Sequence, residues 1–227
     1  AKPGQTVAVI ISDNTRPCPS AIMLPPLLER LQEAGVQNED VVIIAALGLH
    51  RQMTDAELEE AVGSEIYEQY SVINHDIDDV VEVGTTKRGT PVEVFKPAVE
   101  ADLRIALGHV EFHYFAGFSG GAKALVPGLA SRATITANHS HMLEEGAEAA
   151  RVEKNPVRED LEEAAGFVGI DFVFNVVLDE HKQIVAAAAG DVTKVHRHLS
   201  QVLQEWGLVE VDQPLDIAIV STGGHPK

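Results

Sequence analysis

Cysteine is all but missing from this 227-residue chain, where Cys18 stands alone. One thiol cannot build an internal disulfide framework, and zinc sites made from thiolate pairs are excluded with it. It fits a reducing cytoplasm, which is the expected compartment. Basic residues are scarce too: 17 Lys and Arg face 35 Asp and Glu, for a formal charge of −18. That sign repels nucleic-acid phosphates and anionic membranes, so neither is an expected partner. The acid is concentrated in runs such as Asp55 to Glu60 and Glu159 to Glu163, which read as solvated helix faces. Long hydrophobic runs are lacking; Val7 to Ile11 and Val41 to Leu47 fall far short of the roughly 20 residues that span a bilayer. The chain opens Ala-Lys-Pro-Gly, with no initiator Met and no secretory signal pattern, as expected of processing or a fragment boundary. Internal repeats and low-complexity segments are missing. So are the G-x-x-x-x-G-K-[ST] and G-x-G-x-x-G spacings of NTP and dinucleotide loops.

What is present is 45% apolar residues, enough for one sizeable core or one domain plus part of a second. Short β-branched runs alternate with helical spacing, which predicts an α/β fold with a mostly parallel sheet and helices on both faces. Strands are expected at Val7 to Ser12, Val41 to Leu47, Val72 to Asn74, Leu103 to Leu107, Phe172 to Leu178 and Gln183 to Ala187. Val80 to Val83 and Val92 to Phe95 read as a hairpin across Lys87-Arg88-Gly89. Helices are expected at Leu24 to Ala34, from a capping box at Thr54 and Glu57 to Val62, weakly at Pro97 to Ala101, and at Ser140 to Ala150, Val157 to Ala165 and Val192 to Trp206. A last apolar strand, Leu215 to Val220, leads into Ser221-Thr222-Gly223-Gly224-His225. The expected organisation is a catalytic, cofactor-bearing domain over residues 1–210, then the first strand of a truncated second α/β domain over 211–227.

Three strand-to-turn junctions carry chemically capable residues: Asp13 with Arg16, His50 with Arg51, and the segment from His109 to Lys123. In open parallel sheets ligands sit beyond the carboxyl ends of the strands, so these junctions can converge on one crevice. His109 and His113 have the i, i+4 spacing of a helical zinc pair, but Val110 stands where H-E-x-x-H needs its glutamate. His109 reads more simply as a satisfied turn residue, whereas His113 sits just before a glycine turn and can reach a ligand held there. Ser119, Gly120 and Gly121 permit close backbone approach and offer amides to an anion. Lys123, flanked by Ala122, Ala124 and Leu125, reads as a nucleophile or covalent anchor if buried, and as a surface residue if not. His139 and His141 either offer nitrogen ligands to a borderline metal or cap the following helix. His75 reads as a turn residue; His181, His196 and His198 read as exposed and carry no role.

The ordered motifs S-D-N-T-R-P, A-L-G-L-H-R-Q-M-T, H-Y-F-A-G-F-S-G-G-A-K-A-L-V-P-G, N-H-S and N-P-V-R-E-D span about Ser12 to Asp160. Together they resemble the nickel-dependent lactate racemase family, and the tail I-V-S-T-G-G-H-P-K resembles the start of that family's second domain. The resemblance implies a 2-hydroxyacid racemase or epimerase that removes and returns hydride through a keto-acid intermediate. It implies a nickel-pincer mononucleotide derived from nicotinate, attached covalently to Lys123, with nickel ligated by His139. His50 and His113 match the acid/base pair, Asp13 matches an orienting or cofactor-binding residue, and Arg16 suits a substrate carboxylate. Ser119, Gly120 and Gly121 would line the cofactor. Implied partners are the small 2-hydroxy acid and the proteins that synthesise the cofactor and insert nickel. The fragment alone is expected to be inactive. Two other readings stay open: a Schiff-base or zinc-dependent hydrolase or lyase in the same crevice, and a non-catalytic cofactor-binding domain.

Overall fold

The computed structural model describes residues 1–209 together with Val211, Gln213, Ile217 and Ile219. Of the expected strand Leu215 to Val220 only Ile217 and Ile219 are described, and the tail after it lies outside the described residues. Along the chain run β1 (Val7–Ser12), α1 (Ser20–Glu33), β2 (Val41–Ala46), α2 (Asp55–Val62), α3 (Ser64–Gln69) and β3 (Ser71–Asn74). The hairpin β4 (Val80–Thr85) and β5 (Pro91–Phe95), α4 (Lys96–Glu100) and β6 (Leu103–His109) follow. Next come the two-residue strands β7 (Phe112–His113) and β8 (Gly117–Phe118), then α5 (Arg132–Ser140) and α6 (Pro156–Gly166). The last are β9 (Phe172–Leu178), β10 (Ile184–Gly190) and α7 (Val192–Gly207).

Six strands form one sheet in the order β10-β9-β6-β1-β2-β3. All neighbours are parallel except the β9–β10 edge pair. The central strand, β1, is sealed on both faces, with Val7 to Ile11 all at 0% exposure. That explains its unbroken apolar run in place of an alternating one. Its odd residues, Val7, Val9 and Ile11, pack with Met23, Leu24, Leu28 and Leu58 from α1 and α2. Its even residues, Ala8 and Ile10, pack with Phe118, Leu125, Leu129, Leu161 and Leu199, from the glycine segment, α6 and α7. Each such large side chain, fully buried, contributes about 1.5–3 kcal/mol.

From β1 the chain steps one way to β2 and β3; β6, β9 and β10 are then laid down on the other side. The direction reverses between β1 and β6. At that point two adjacent carboxyl ends diverge and leave a crevice.

Several boundaries differ from the sequence reading. α1 begins at Ser20, with Pro25 and Pro26 inside it and both exposed. α3 follows α2 after the positive-φ break at Gly63 and has no strong apolar period to announce it. The expected helix from Ser140 to Ala150 is absent: α5 precedes it, and a short 3-10 turn, His141–Leu143, leads into irregular chain. α5 is capped by Ser131, whose hydroxyl accepts from the Thr134 amide at 3.2 Å. Its buried residues are Thr134, Ile135 and Asn138, a largely polar stripe that hydrophobic periodicity cannot report.

Candidate active site

A crevice of about 290 Å³ opens at the reversal point, lined from the ends of β1, β2 and β6, the glycine segment, α5 and β9. Asp13, Arg16, His50, His113, Ser119, Gly120, Gly121, Lys123 and His139 all border it. These nine residues are therefore brought to one place, including two 126 positions apart in the chain (Asp13 and His139), whereas His141 pairs with Glu144 and lies outside the lining.

At the β2 end, His50 Nδ1 lies 3.1 Å from Asp13 Oδ2, and Asp13 Oδ1 accepts from the Thr15 amide at 2.7 Å. A carboxylate can only accept here, so Nδ1 carries the hydrogen and the ring's lone pair is on Nε2. The His50 turn is fixed by its own amide donating to Leu47 and by the Gly48 amide donating to Gly128, both at 2.9 Å. Arg51 turns away to a bidentate pair with Glu57, at 2.7 and 2.6 Å, and lies outside the crevice lining.

The β6 end is drier. His113 Nδ1 accepts from the Ala116 amide at 3.2 Å, so a neutral ring carries its hydrogen on Nε2. Burial, with Lys123 and Arg158 next in strength, pushes His113 down to about 3, and it stays neutral well below pH 7. Burial and then the Arg158 and Arg16 guanidiniums push the half-buried Lys123 well below the ordinary range of an amine. No carboxylate among the described residues forms an ion pair with it. Burial and then Lys123 lower His139, while the Ile135 carbonyl one turn earlier opposes the shift. His139 Nδ1 is buried without a well-formed hydrogen bond. Phe115 joins these three groups. Its ring meets those of His113 and His139 edge-on at 4.5 and 5.1 Å, and Lys123 Nζ lies 5.9 Å from its centre.

The glycine turn is clamped from behind. Gly120 and Gly121 have φ of +73° and +59°. A Cβ on Gly120 would lie 3.0 Å from Asn175 Oδ1, and one on Gly121 would lie 3.0 Å from the His196 ring. Asn175 Oδ1 accepts from the Gly121 amide at 2.8 Å, and His196 Nε2 donates to the Ser119 carbonyl at 3.1 Å. The Ser119 amide is likewise engaged, donating to the Glu111 carbonyl at 2.9 Å. Two of the amides expected to meet an anion are thus used inside the protein, and the glycines contribute close approach.

Comparison with known proteins now decides the kinship, because residues 1–150 match the model of the lactate racemase N-terminal domain. The chain belongs to the lactate racemase family. It is similar to the lactate racemase of Thermoanaerobacterium thermosaccharolyticum, 38% identical over 227 residues that cover 98% of this chain and 53% of the relative. It is also similar to that of Lactiplantibacillus plantarum, 37% identical over 231 residues covering 100% of this chain and 54% of the relative. The chain spans about half the length of these relatives. The solved lactate racemase apoprotein from T. thermosaccharolyticum superposes with a TM-score of 0.83 at 37% identity, covering 89% of this chain and 50% of that one. A crystal structure of a Thermotoga maritima protein, 22% identical, shares the fold with a TM-score of 0.81 over 95% of this chain and 58% of its own.

Several supporting residues of the site were not visible in the sequence. His196, read as exposed, is 1% exposed and is pushed down to about 2 by burial first and then by Arg158 and Arg197. His75, read as a turn residue, is buried edge-on against Phe95, and neither ring nitrogen has a hydrogen-bond partner among the described residues. His109 and His113 do not share a helix face, since one ends β6 and the other starts on β7. Arg158 is completely buried and donates to the Ala116 and Phe118 carbonyls, bracing the loop that carries His113. Asp160, also fully buried, accepts from Thr86, Thr90 and Asn138 at 2.5, 2.8 and 2.8 Å, and so fixes the residue beside His139. Both lie in N-P-V-R-E-D, where the charged letters suggest a solvated helix and only the motif match hints otherwise.

Proposed function

We propose that this chain supplies the cofactor-bearing, proton-transferring half of a nickel-dependent racemase or epimerase of a small, lactate-like 2-hydroxy acid. One observation carries the reading. Two imidazoles of opposite hydrogen-bonding state, a depressed lysine and a third, neutral imidazole border one crevice. The lactate racemase names of the two relatives support the substrate class.

The donor set suits a nicotinate-derived mononucleotide that brings nickel on its own sulfur groups. No three His, Cys, Asp or Glu side chains gather into a metal cage among the described residues, so the chain's share is one ligand and a tether. His139 fits the ligand, because a metal needs a neutral imidazole and its surroundings keep it so. Lys123 fits the tether, because an amine must lose its proton before it can be acylated. Gly120 and Gly121 let the ring approach the backbone, and Ser119 stiffens the turn. When bound, the group supplies a hydride acceptor that also gives hydride back.

The chain's own residues then handle protons. Arg16 suits the substrate carboxylate, which a guanidinium grips in bidentate fashion. Asp13 holds His50 with its lone pair on Nε2, ready for the hydroxyl proton as the α-hydrogen leaves with its electron pair. The substrate becomes a planar keto acid and loses its configuration. His113 starts as a donor through Nε2–H. To accept a proton there it must move its own hydrogen to Nδ1, which forfeits the Ala116 bond. The two imidazoles serve opposite enantiomers, and the exchange is dearer for His113. Proteins that build the cofactor and insert nickel would be its partners in the cytoplasm.

Mass spectrometry and metal analysis of the full-length protein, produced with those partners, test the reading. It predicts added mass on Lys123, stoichiometric nickel and racemisation from either enantiomer. Racemisation by protein whose Lys123 is unmodified contradicts it.

A further inference from the structure

Beyond the residues already given roles, the crevice has a second polar station. His109 is only 5% exposed, borders the crevice, and makes no well-formed hydrogen bond at either ring nitrogen among the described residues. Its Nε2 lies 3.4 Å from Glu111 Oε1, the carboxylate beside it on the crevice wall. Between them Val110 is buried in the core, at 1% exposure, while His109 and Glu111 both border the crevice.

The backbone that presents this pair is locked. Ser119 Oγ donates to the His109 carbonyl and accepts from the Glu111 amide, while the Ser119 amide donates to the Glu111 carbonyl, all at 2.9 Å. Three bonds from one serine hold a three-residue segment. A surface turn needs no such bracing, whereas a ligand station gains from it because less freedom is lost on binding. The position is also telling. His109 ends β6 and Glu111 lies two residues beyond it, on one side of the β1–β6 reversal, and Arg16 follows β1 on the other.

Chemistry narrows the ligand. The nearby His109 ring, against the opposing effect of burial and with Arg16 and Lys182 adding to it, holds the Glu111 carboxyl below the usual carboxylate range. An ionised carboxylate only accepts, so it rejects phosphate and the substrate's own carboxylate and calls for hydroxyl donors. In a mononucleotide the hydroxyl donors are the vicinal pair on the ribose. Two oxygens in one carboxylate match two adjacent hydroxyls, as an acidic residue past a strand end does in dinucleotide-binding sheets.

We propose that Glu111, held in place by His109 and the Ser119 clamp, binds the ribose 2′- and 3′-hydroxyls of the nucleotide taken into this crevice. The proposal rests on the reading that the crevice takes a nicotinate-derived mononucleotide. His109 is a positioning residue; its imidazole orients the carboxylate and touches no reacting atom.

The test is calorimetric binding to the full-length apoprotein of two probes, nicotinate mononucleotide and its 2′,3′-dideoxy counterpart. Wild-type protein should prefer the ribonucleotide by about tenfold or more, the strength of hydrogen bonds to a charged group. Glu111→Gln should bring that preference close to unity while leaving dideoxy binding within about twofold, which general damage to the fold would not do. His109→Phe, which keeps an aromatic ring but gives the carboxylate no donor, should weaken the preference without abolishing it. If both probes bind and Glu111→Gln keeps the full preference, the proposal is overturned and the nucleotide reading stands. If the wild type binds neither probe, the nucleotide reading fails and takes the proposal with it.

Discussion

The junctions after β2 and β6 each deliver a histidine to the crevice, and they do so in opposite ways. His50 is held by a carboxylate in a turn fixed by two backbone bonds, and its side chain is 31% exposed. His113 is held by a backbone amide among aromatic rings, with a buried arginine and a depressed lysine behind it. The first arrangement favours taking a proton; the second keeps a ring neutral and dry. Two residues of the same type acquire different chemistry because one environment supplies an acceptor and the other a donor.

The sharpest way to break this comparison is to remove each ring in the full-length enzyme. His50→Ala and His113→Ala should each lower steady-state racemisation by about 10²–10⁴-fold, since both directions must run. His113→Ala should leave intact the Lys123 adduct that the proposed function requires. In single-turnover oxidation each variant should fail with one enantiomer and retain the other. Equal failure with both enantiomers would remove the division of labour.

Stability should separate the junctions next. Asp160→Ala, behind the β6 side, leaves three buried donors without their acceptor and should cost about 3–5 kcal/mol in denaturant unfolding. Asp13→Asn, on the β2 side, should shift unfolding by about 1 kcal/mol or less yet slow racemisation by about a hundredfold, because an amide no longer fixes the His50 tautomer. A stability loss at Asp13 as large as at Asp160 would erase the contrast.

The most gradual effect is with pH. The folded chain keeps His75, His113 and His196 depressed, to about 4, 3 and 2, from an ordinary 6.5. Below pH 6.5 the unfolded chain therefore binds protons that the folded chain refuses. Stability is full above 6.5 and falls as pH is lowered through the window down to those values, by at most about 1.4 kcal/mol per unit for each histidine. The melting temperature should fall steadily from pH 6.5 to 4; a flat profile would contradict neutral burial.

The two faces of the sheet explain what could be read in advance. On the α1 and α2 side the buried positions are nearly all apolar, and both the Leu24, Leu28 and Leu31 stripe and the Thr54–Glu57 capping box were plain from spacing. The strand ends carrying Asp13, His50 and His113 were legible for the same reason: apolar runs stop where polar letters begin. On the opposite face α5, α6 and α7 bury Asn138, Arg158, Asp160 and His196. A polar letter reads as surface unless its partner is known, and these partners lie 22 to 77 residues away, as with Asn138 to Asp160 and His196 to Ser119. Family motifs recovered the residues that border the crevice. The buried polar groups that hold those residues in place became visible only in three dimensions.

The most direct test of the central claim is ¹⁵N NMR of the histidine rings in the apoprotein. At pH 7 the account predicts His50 protonated on Nδ1 and His113 neutral with its hydrogen on Nε2, remaining neutral to about pH 4. Both rings in the same tautomer, or His113 titrating near 6.5, would contradict it.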